Sequence, residues 1–268
     1  MAEPQDYVIR GGLEGRERLR LLSRIMHAGT SALLDRLELQ AGQRCLDLGC
    51  GGGDVTLEMA RRVGPGGHAV GVDLDNVKIE LARDEARQRG AGNVTFVNSD
   101  VLALPALPDF DLVYSRFLLT HLRDPGAVVR GMHDRLRPGG VVAVEDIDFS
   151  GAFTYPPSAA FQRYRELYCA VVERRGADAR IGPRLPSLLR EAGFTNLDVA
   201  VVQPVGLRGD AKLLDPVTME NIAAAVLAER LATKEEIDAV AREMFEFAGD
   251  PTTLVSVPRI VQAWGRRA

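Results

Sequence analysis

The stretch Asp47-Leu48-Gly49-Cys50-Gly51-Gly52-Gly53-Asp54 sets four glycines in five positions between two carboxylates, directly after the apolar pair Cys45-Leu46. A turn from strand to helix needs one or two glycines, so four imply that something other than protein approaches the backbone there. Spacing narrows what that is. The Gly-x-Gly-x-x-Gly pattern of dinucleotide sites needs a third glycine where this chain has Asp54, and a carboxylate there opposes a pyrophosphate at a helix N-terminus. The pattern Asp47-x-Gly49-x-Gly51-x-Gly53 fits without exception, and its acidic first member suits a ligand that carries an ammonium group.

Elements that could position this turn are readable on both sides of it. Residues 44–48, 69–73, 94–97, 110–115 and 141–146 are short apolar runs that read as buried strands, and 55–63, 76–89 and 125–136 between them read as helices. Asp124-Pro125 supplies an N-cap with a first-turn proline, Gly90 ends the preceding helix, and Arg137-Pro138-Gly139-Gly140 is a stop before the next strand. Strands apolar along their whole length, alternating with helices, form a parallel sheet covered on both faces. After Asp146 the rhythm changes. A loop at 149–157 precedes a helix with Phe161, Tyr164, Tyr168 and Val171 at helical spacing; Gly182-Pro183 opens a short helix that Ala192-Gly193 closes, and 197–202 is a strand. Asp215-Pro216 starts the first of two helices within 215–248, Thr233 caps the second, and 259–266 is the last strand.

Composition bounds the partners. The chain has 268 residues and a net charge of −4, from 33 basic and 37 acidic residues, with no long block of one sign, so neither a nucleic acid nor an anionic membrane is implied. The arginine-rich stretch 16–24 is broken by acids and leucines and reads as a solvated amphipathic helix. Cys45, Cys50 and Cys169 lack disulfide or zinc spacing. The N-terminus has no apolar signal core and no long apolar run occurs, so the expected location is cytoplasmic.

At these motifs the sequence resembles the class I S-adenosylmethionine-dependent methyltransferases, in particular the small-molecule branch that includes ubiquinone/menaquinone methyltransferases and natural-product enzymes. The likeness covers nearly the whole chain and is strongest from 44 to 146. It implies that Gly49, Gly51 and Gly53 pass under the cofactor while Asp47 meets its methionine part. Asp73, with Leu74 after it, matches the acid that takes both ribose hydroxyls, and Asp100 with Val101 matches the adenine-binding pair. The run 110–115, through Ser115 and Arg116 and on to His121, matches the segment that flanks the sulfonium, and 136–140 matches the turn into strand five. Tyr7 and Glu17-Arg18-Leu19 resemble a leader that folds over the cofactor; without the resemblance they are a surface-anchoring aromatic and a helix-surface charge. The implied fold is α/β, a Rossmann-like doubly wound, mostly parallel sheet with an antiparallel last strand and a helical lid. Residues 1–40 form a helical cap, 41–150 the cofactor-binding core, 151–258 the substrate-side helices with strand six, and 259–268 the last strand.

Methyl transfer is an in-line displacement whose barrier falls chiefly by holding nucleophile and methyl close and collinear. A hydroxyl or amine acceptor must also lose a proton. His121 is the first candidate base, since an unperturbed imidazole titrates at about 6.5; the alternative is a histidine that only shapes the pocket. Asp146 and Asp148 leave strand five toward the same rim, where Asp146 either orients an acceptor, acts as base, or is solvated. Tyr155, Tyr164 and Tyr168 either line the acceptor pocket or are core, and His133 is a surface residue. No metal is expected, because Ser115 and Arg116 stand where a metal-assisted catechol enzyme needs a ligand. The acceptor is a small molecule, and a homodimer is compatible with this reading. Two other readings are a nicotinamide oxidoreductase, disfavoured by Asp54 and by the lack of Tyr-x-x-x-Lys after strand four, and a non-catalytic S-adenosylmethionine-binding module.

Overall fold

The computed structural model describes residues 12–104 and 109–268, with side chains from Glu17 onward. A long helix, α1 (Gly12–Arg36), precedes five strands: β1 (Arg44–Leu48), β2 (His68–Asp73), β3 (Val94–Asn98), β4 (Phe110–Arg116) and β5 (Leu136–Asp148). Helices α2 (Asp54–Val63), α3 (Asn76–Gln88) and α4 (Pro125–Arg135) alternate with them. Then come β6 (Thr154–Tyr155), α5 (Ala159–Arg174), α6 (Leu185–Glu191), β7 (Phe194–Val202) and β8 (Val205–Gly206). The chain continues through α7 (Asp210–Ala228), α8 (Lys234–Gly249), β9 (Leu254–Ser256) and β10 (Arg259–Arg267).

Seven strands form one sheet in the order β3-β2-β1-β4-β5-β10-β7, parallel except for β10, which runs antiparallel to both β5 and β7. The sheet is thus parallel in its first five strands, as the alternation of elements implies, and doubly wound with an antiparallel last strand, as the resemblance implies. Its order reverses between β1 and β4, and in such sheets the crevice at the carboxyl ends of those strands is where ligands bind. Apolar cores cover both faces: Leu33, Leu34 and Met59 pack on one, Val128, Met132 and Leu189 on the other. A separate core joins α5, α7 and α8 beyond the carboxyl edge, with Phe149 stacked on Tyr168 at 4.3 Å.

Three elements differ from the sequence expectation. Strand β5 starts at Leu136, not after the Arg137–Gly140 stop: Leu136 pairs with Phe110 and Val141 with Leu112, so the four intervening residues are an excursion within the strand. Helix α7 starts at Asp210, with Pro216 inside it. The Lys212 ammonium donates to Asp250 O (2.6 Å), Thr253 O (3.0 Å) and Thr253 Oγ1 (2.7 Å), anchoring the first turn so that the one amide bond lost at Pro216 is tolerated. The segment read as a loop at 149–157 contributes β6 to a three-stranded sheet, β6-β9-β8, whose ladders of two pairs are too short to leave a periodic signal.

Candidate active site

A cavity of about 370 Å³ opens at the carboxyl ends of β1, β2 and β4, where the strand order reverses. Asp47, Gly49, Gly51, Gly52, Asp73 and Arg116 border one end of it. The glycine turn is pinned to β2: the N–H groups of Gly49 and Cys50 both donate to Val72 O (2.8 and 2.9 Å), and the Gly51 N–H donates to Asp73 Oδ2 (2.9 Å). The other Asp73 oxygen accepts the Asp75 N–H at 2.9 Å. A Cβ built on Gly52 meets no protein atom within 4 Å. That glycine, which the spacing pattern skips, therefore borders open space rather than a neighbour's side chain.

Gly53 is set by packing against its neighbours. It has φ +80°, and an added Cβ would lie 2.7 Å from the Phe96 ring and 2.9 Å from Ala82 Cβ, so this glycine lets α2 start close against β3 and α3. It is a packing residue and does not border the cavity. The two bracketing acids also separate. Asp47 is buried and accepts the Thr56 hydroxyl at 2.6 Å; burial, only partly offset by that bond, pushes its carboxyl up to about 7. Asp54 accepts Arg116 Nη2 and Ser23 Oγ, each at 2.8 Å. Burial works to raise Asp54, but the Arg116 guanidinium outweighs it and holds the carboxyl below its usual range. Arg116 also reaches Thr30 Oγ1 at 3.2 Å, so one arginine joins α1, the glycine turn and β4.

The third acid stands beside the second. Asp73 pairs with Asn98 in the sheet, and the Ser99 N–H donates to Asp73 O, so the segment after β3 starts next to the end of β2. Asp100 Oδ1 accepts the Leu102 N–H at 2.9 Å, and Val101 packs against the core. Asp100, Val101, Leu74 and Ser115 do not border the cavity; Leu74 O accepts Asn98 Nδ2 at 2.8 Å, and Ser115 is wholly buried in β4. Tyr7 lies outside the described residues. Among the described residues, no group of three or more histidines, cysteines or acids is arranged to hold a metal ion.

The opposite end of the cavity is lined by helices. His121 borders it from a 3₁₀ turn, Leu119–His121; burial, with nearby Arg18 and Lys78, pushes its imidazole down to about 3, leaving it neutral and weakly basic near pH 7. Asp146, expected at the same rim, is engaged by backbone donors. Its carboxylate accepts the N–H groups of Thr120 (3.1 Å) and Ile147 (2.8 Å) and does not border the cavity; it holds the turn that carries His121. Burial pushes this carboxyl up to about 7. Asp148 is likewise engaged, with Ser150 and Arg259. Tyr164 and Tyr168 both border the cavity and belong to the helical core, whereas Tyr155 is 68 % exposed. His133 is half-buried, edge-on to Phe194 at 5.1 Å between ring centroids, rather than a free surface residue.

Sequence reasoning missed two groups at this end. Arg18, in the stretch read as a solvated helix, borders the cavity and donates through Nε to Thr218 Oγ1 at 2.9 Å. Asp215, read only as part of a helix start, is 2 % exposed and borders the same space. A signal for Arg18 existed in its place within the leader-like segment; none existed for Asp215, which proximity through the fold alone brings to the site.

A family model described as methyltransferase domain matches residues 39–193. The ubiquinone/menaquinone biosynthesis C-methyltransferase UbiE of Vibrio campbellii is 32 % identical over 197 residues, which cover 66 % of this chain and 75 % of that protein. Among solved structures, the cyclase SpnF superposes with a TM-score of 0.54 at 24 % identity, covering 89 % of this chain and 79 % of its own. Phosphoethanolamine N-methyltransferase 2 of Haemonchus contortus, solved with phosphomonomethylethanolamine and S-adenosylhomocysteine, superposes with a TM-score of 0.53 at 18 % identity, covering 98 % of this chain and 55 % of that one.

Proposed function

Because the chain belongs to the methyltransferase-domain family of S-adenosylmethionine-dependent enzymes, we propose that its cavity takes the cofactor along the ends of β1, β2 and β4 and methylates a small molecule held between α1, α5 and α7. One observation carries this reading. At the point where the sheet order reverses, a cradle of bare backbone at Gly51 and Gly52 lies between two carboxylates, Asp47 and Asp73, that end adjacent strands. The group fits these residues: an ammonium answers the buried Asp47, a vicinal diol answers Asp73, and the small residues leave room for the chain between.

When bound, S-adenosylmethionine supplies an electrophilic methyl group. The protein's own residues do the rest. Ionised Asp47 would hold the amino acid end and Asp73 the sugar, while Asp100 and the Val101 N–H, outside the cavity wall in the segment that starts beside Asp73, would meet a base that extends past that wall. Arg116, fixed by Asp54, ties α1 across the glycine turn and helps to keep water out of the site. Holding two reactants in line is worth roughly 7–11 kcal/mol in well-oriented systems. In this reading Asp146 is a positioning residue that sets the Leu119–His121 turn, and neutral His121 shapes the wall without acting as a strong base. In this reading the cofactor unit lies within 41–150, and the acceptor side comes from the described residues 12–40 and from 151–258. A net charge of −4 supports a small-molecule acceptor over a nucleic acid.

Titration calorimetry with S-adenosylhomocysteine tests the reading. Binding to the wild type is expected, with titration of NADH giving no heat and no fluorescence change. NADH binding without S-adenosylhomocysteine binding would reverse the assignment.

A further inference from the structure

At the acceptor end of the cavity a carboxyl stands without a hydrogen-bond donor among the described residues. Thr218 accepts Arg18 Nε at 2.9 Å and donates to Leu214 O at 2.6 Å, so its hydroxyl is satisfied. Asp215, three residues earlier and on the same face of α7, is 2 % exposed, borders the cavity, and receives no hydrogen bond among the described residues. Around it the walls are apolar: Leu22, Leu214 and Val257 on one side, Phe149 and Tyr168 on the other. A buried carboxylate without donors is costly, so such a group in a native cavity calls for a partner. The arrangement has the form of a site awaiting one donor on an otherwise apolar molecule.

Resting on the methyl-transfer reading above, we propose that Asp215 receives the proton of a hydroxyl group on an apolar, ring-sized acceptor, and so determines which molecules this enzyme methylates. A hydroxyl is favoured over an ammonium because Arg18 and the cationic methyl donor already bring positive charge to this end. Arg18 would instead stabilise negative charge growing on an oxygen. The bookkeeping is closed: the acceptor O–H bond breaks, its proton passes to an Asp215 oxygen, an oxygen electron pair forms the new bond to the methyl carbon, and the pair of the broken C–S bond stays with sulfur. Burial pushes the Asp215 carboxyl up to about 7, countered by the guanidinium groups of Arg165 and Arg18, so it can exchange this proton near neutrality. The titratable and charged groups facing it are Arg18 from α1 and Tyr164, Arg165 and Tyr168 from α5; both tyrosines stay neutral, their hydroxyls raised by burial.

The test uses the full chain saturated with S-adenosylhomocysteine and two fluorescent probes of one shape, 2-naphthol and 2-methoxynaphthalene, which lacks the proton. Wild type is expected to prefer 2-naphthol by about tenfold or more, as for a hydrogen bond to a charged acceptor, with the preference growing from pH 6 to pH 8 as Asp215 ionises. In Asp215→Asn the pH dependence vanishes and the preference falls several-fold, because a carboxamide oxygen accepts only a neutral hydrogen bond, while S-adenosylhomocysteine binding reports that the variant is folded. Equal affinity of the wild type for the two probes, no binding of 2-naphthol, or an undiminished preference in Asp215→Asn would each overturn the proposal. Failure of S-adenosylhomocysteine itself to bind would instead remove the cofactor reading on which the proposal stands.

Discussion

The two ends of the cavity are built by different means. At the end assigned to the cofactor, Asp47 and Asp73 lie in the last residues of β1 and β2 and Asp100 follows β3, and each is already engaged by a local donor: the Thr56 hydroxyl and the N–H groups of Gly51, Asp75 and Leu102. At the end assigned to the acceptor, Arg18, His121, Tyr168 and Asp215 come from segments far apart in the chain, and Asp215 receives no hydrogen bond among the described residues. A rigid end for an invariant cofactor beside an adaptable, apolar end for a particular substrate is the division of labour that lets one fold serve many acceptors.

Substitutions at the cofactor end should have the largest effects. Asp73→Ala removes a diol acceptor and also frees the Gly51 N–H; two bonds to a charged group, each worth about 1.5–3 kcal/mol, make a loss of about 100-fold or more in S-adenosylhomocysteine affinity, read by calorimetry. The pH dependence of that affinity sharpens the contrast. Asp47 has a raised carboxyl, protonated below about 7, and only the ionised form holds an ammonium. Affinity should therefore fall as pH drops from 8 to 6, by at most about tenfold per pH unit. Thr56→Val removes a bond that favours the ionised form, so the midpoint should move up. An affinity independent of pH across that range would contradict the role given to Asp47.

Gly53→Ala distinguishes packing from binding within one motif. Its positive φ and the 2.7 Å approach to Phe96 give an expected destabilisation of about 1–3 kcal/mol in urea unfolding. Ser23→Ala is the mildest test. It removes one partner of Asp54 and should cost about 0.5–1.5 kcal/mol without changing the cofactor's pH profile.

These differences follow what a sequence can carry. The parallel sheet was legible because buried strands are apolar throughout, and the acids at their ends were legible because each is adjacent in sequence to the strand it terminates. The pattern could not tell Gly53, which makes room for Phe96, from Gly52, which borders the cavity: both are glycines in one turn, and their neighbours lie elsewhere in the chain. Asp146 was read as facing the rim because it ends in the right strand region, yet alternation along β5 and two backbone donors turn its carboxylate to the Leu119–His121 turn. Arg18 reads as solvated by composition alone, because the surface it meets on α7 is more than 190 residues away in sequence, as the separation of 200 from Thr218 records. Asp215 beside a proline resembles any helix start; in the structure Lys212 anchors an α7 that begins upstream, and packing of α7 against α1 and α5 accompanies the burial of Asp215.

The central claim is a division of one cavity into an acid-lined cofactor end and an apolar acceptor end. A crystal structure of the protein grown with S-adenosylhomocysteine tests it most directly. The account predicts the ligand's ammonium on Asp47, its ribose hydroxyls on Asp73, its adenine beside Asp100 and Val101, and its sulfur facing the space between His121 and Asp215. Adenosine density at the Asp215 end, or anywhere away from the glycine turn, would contradict it.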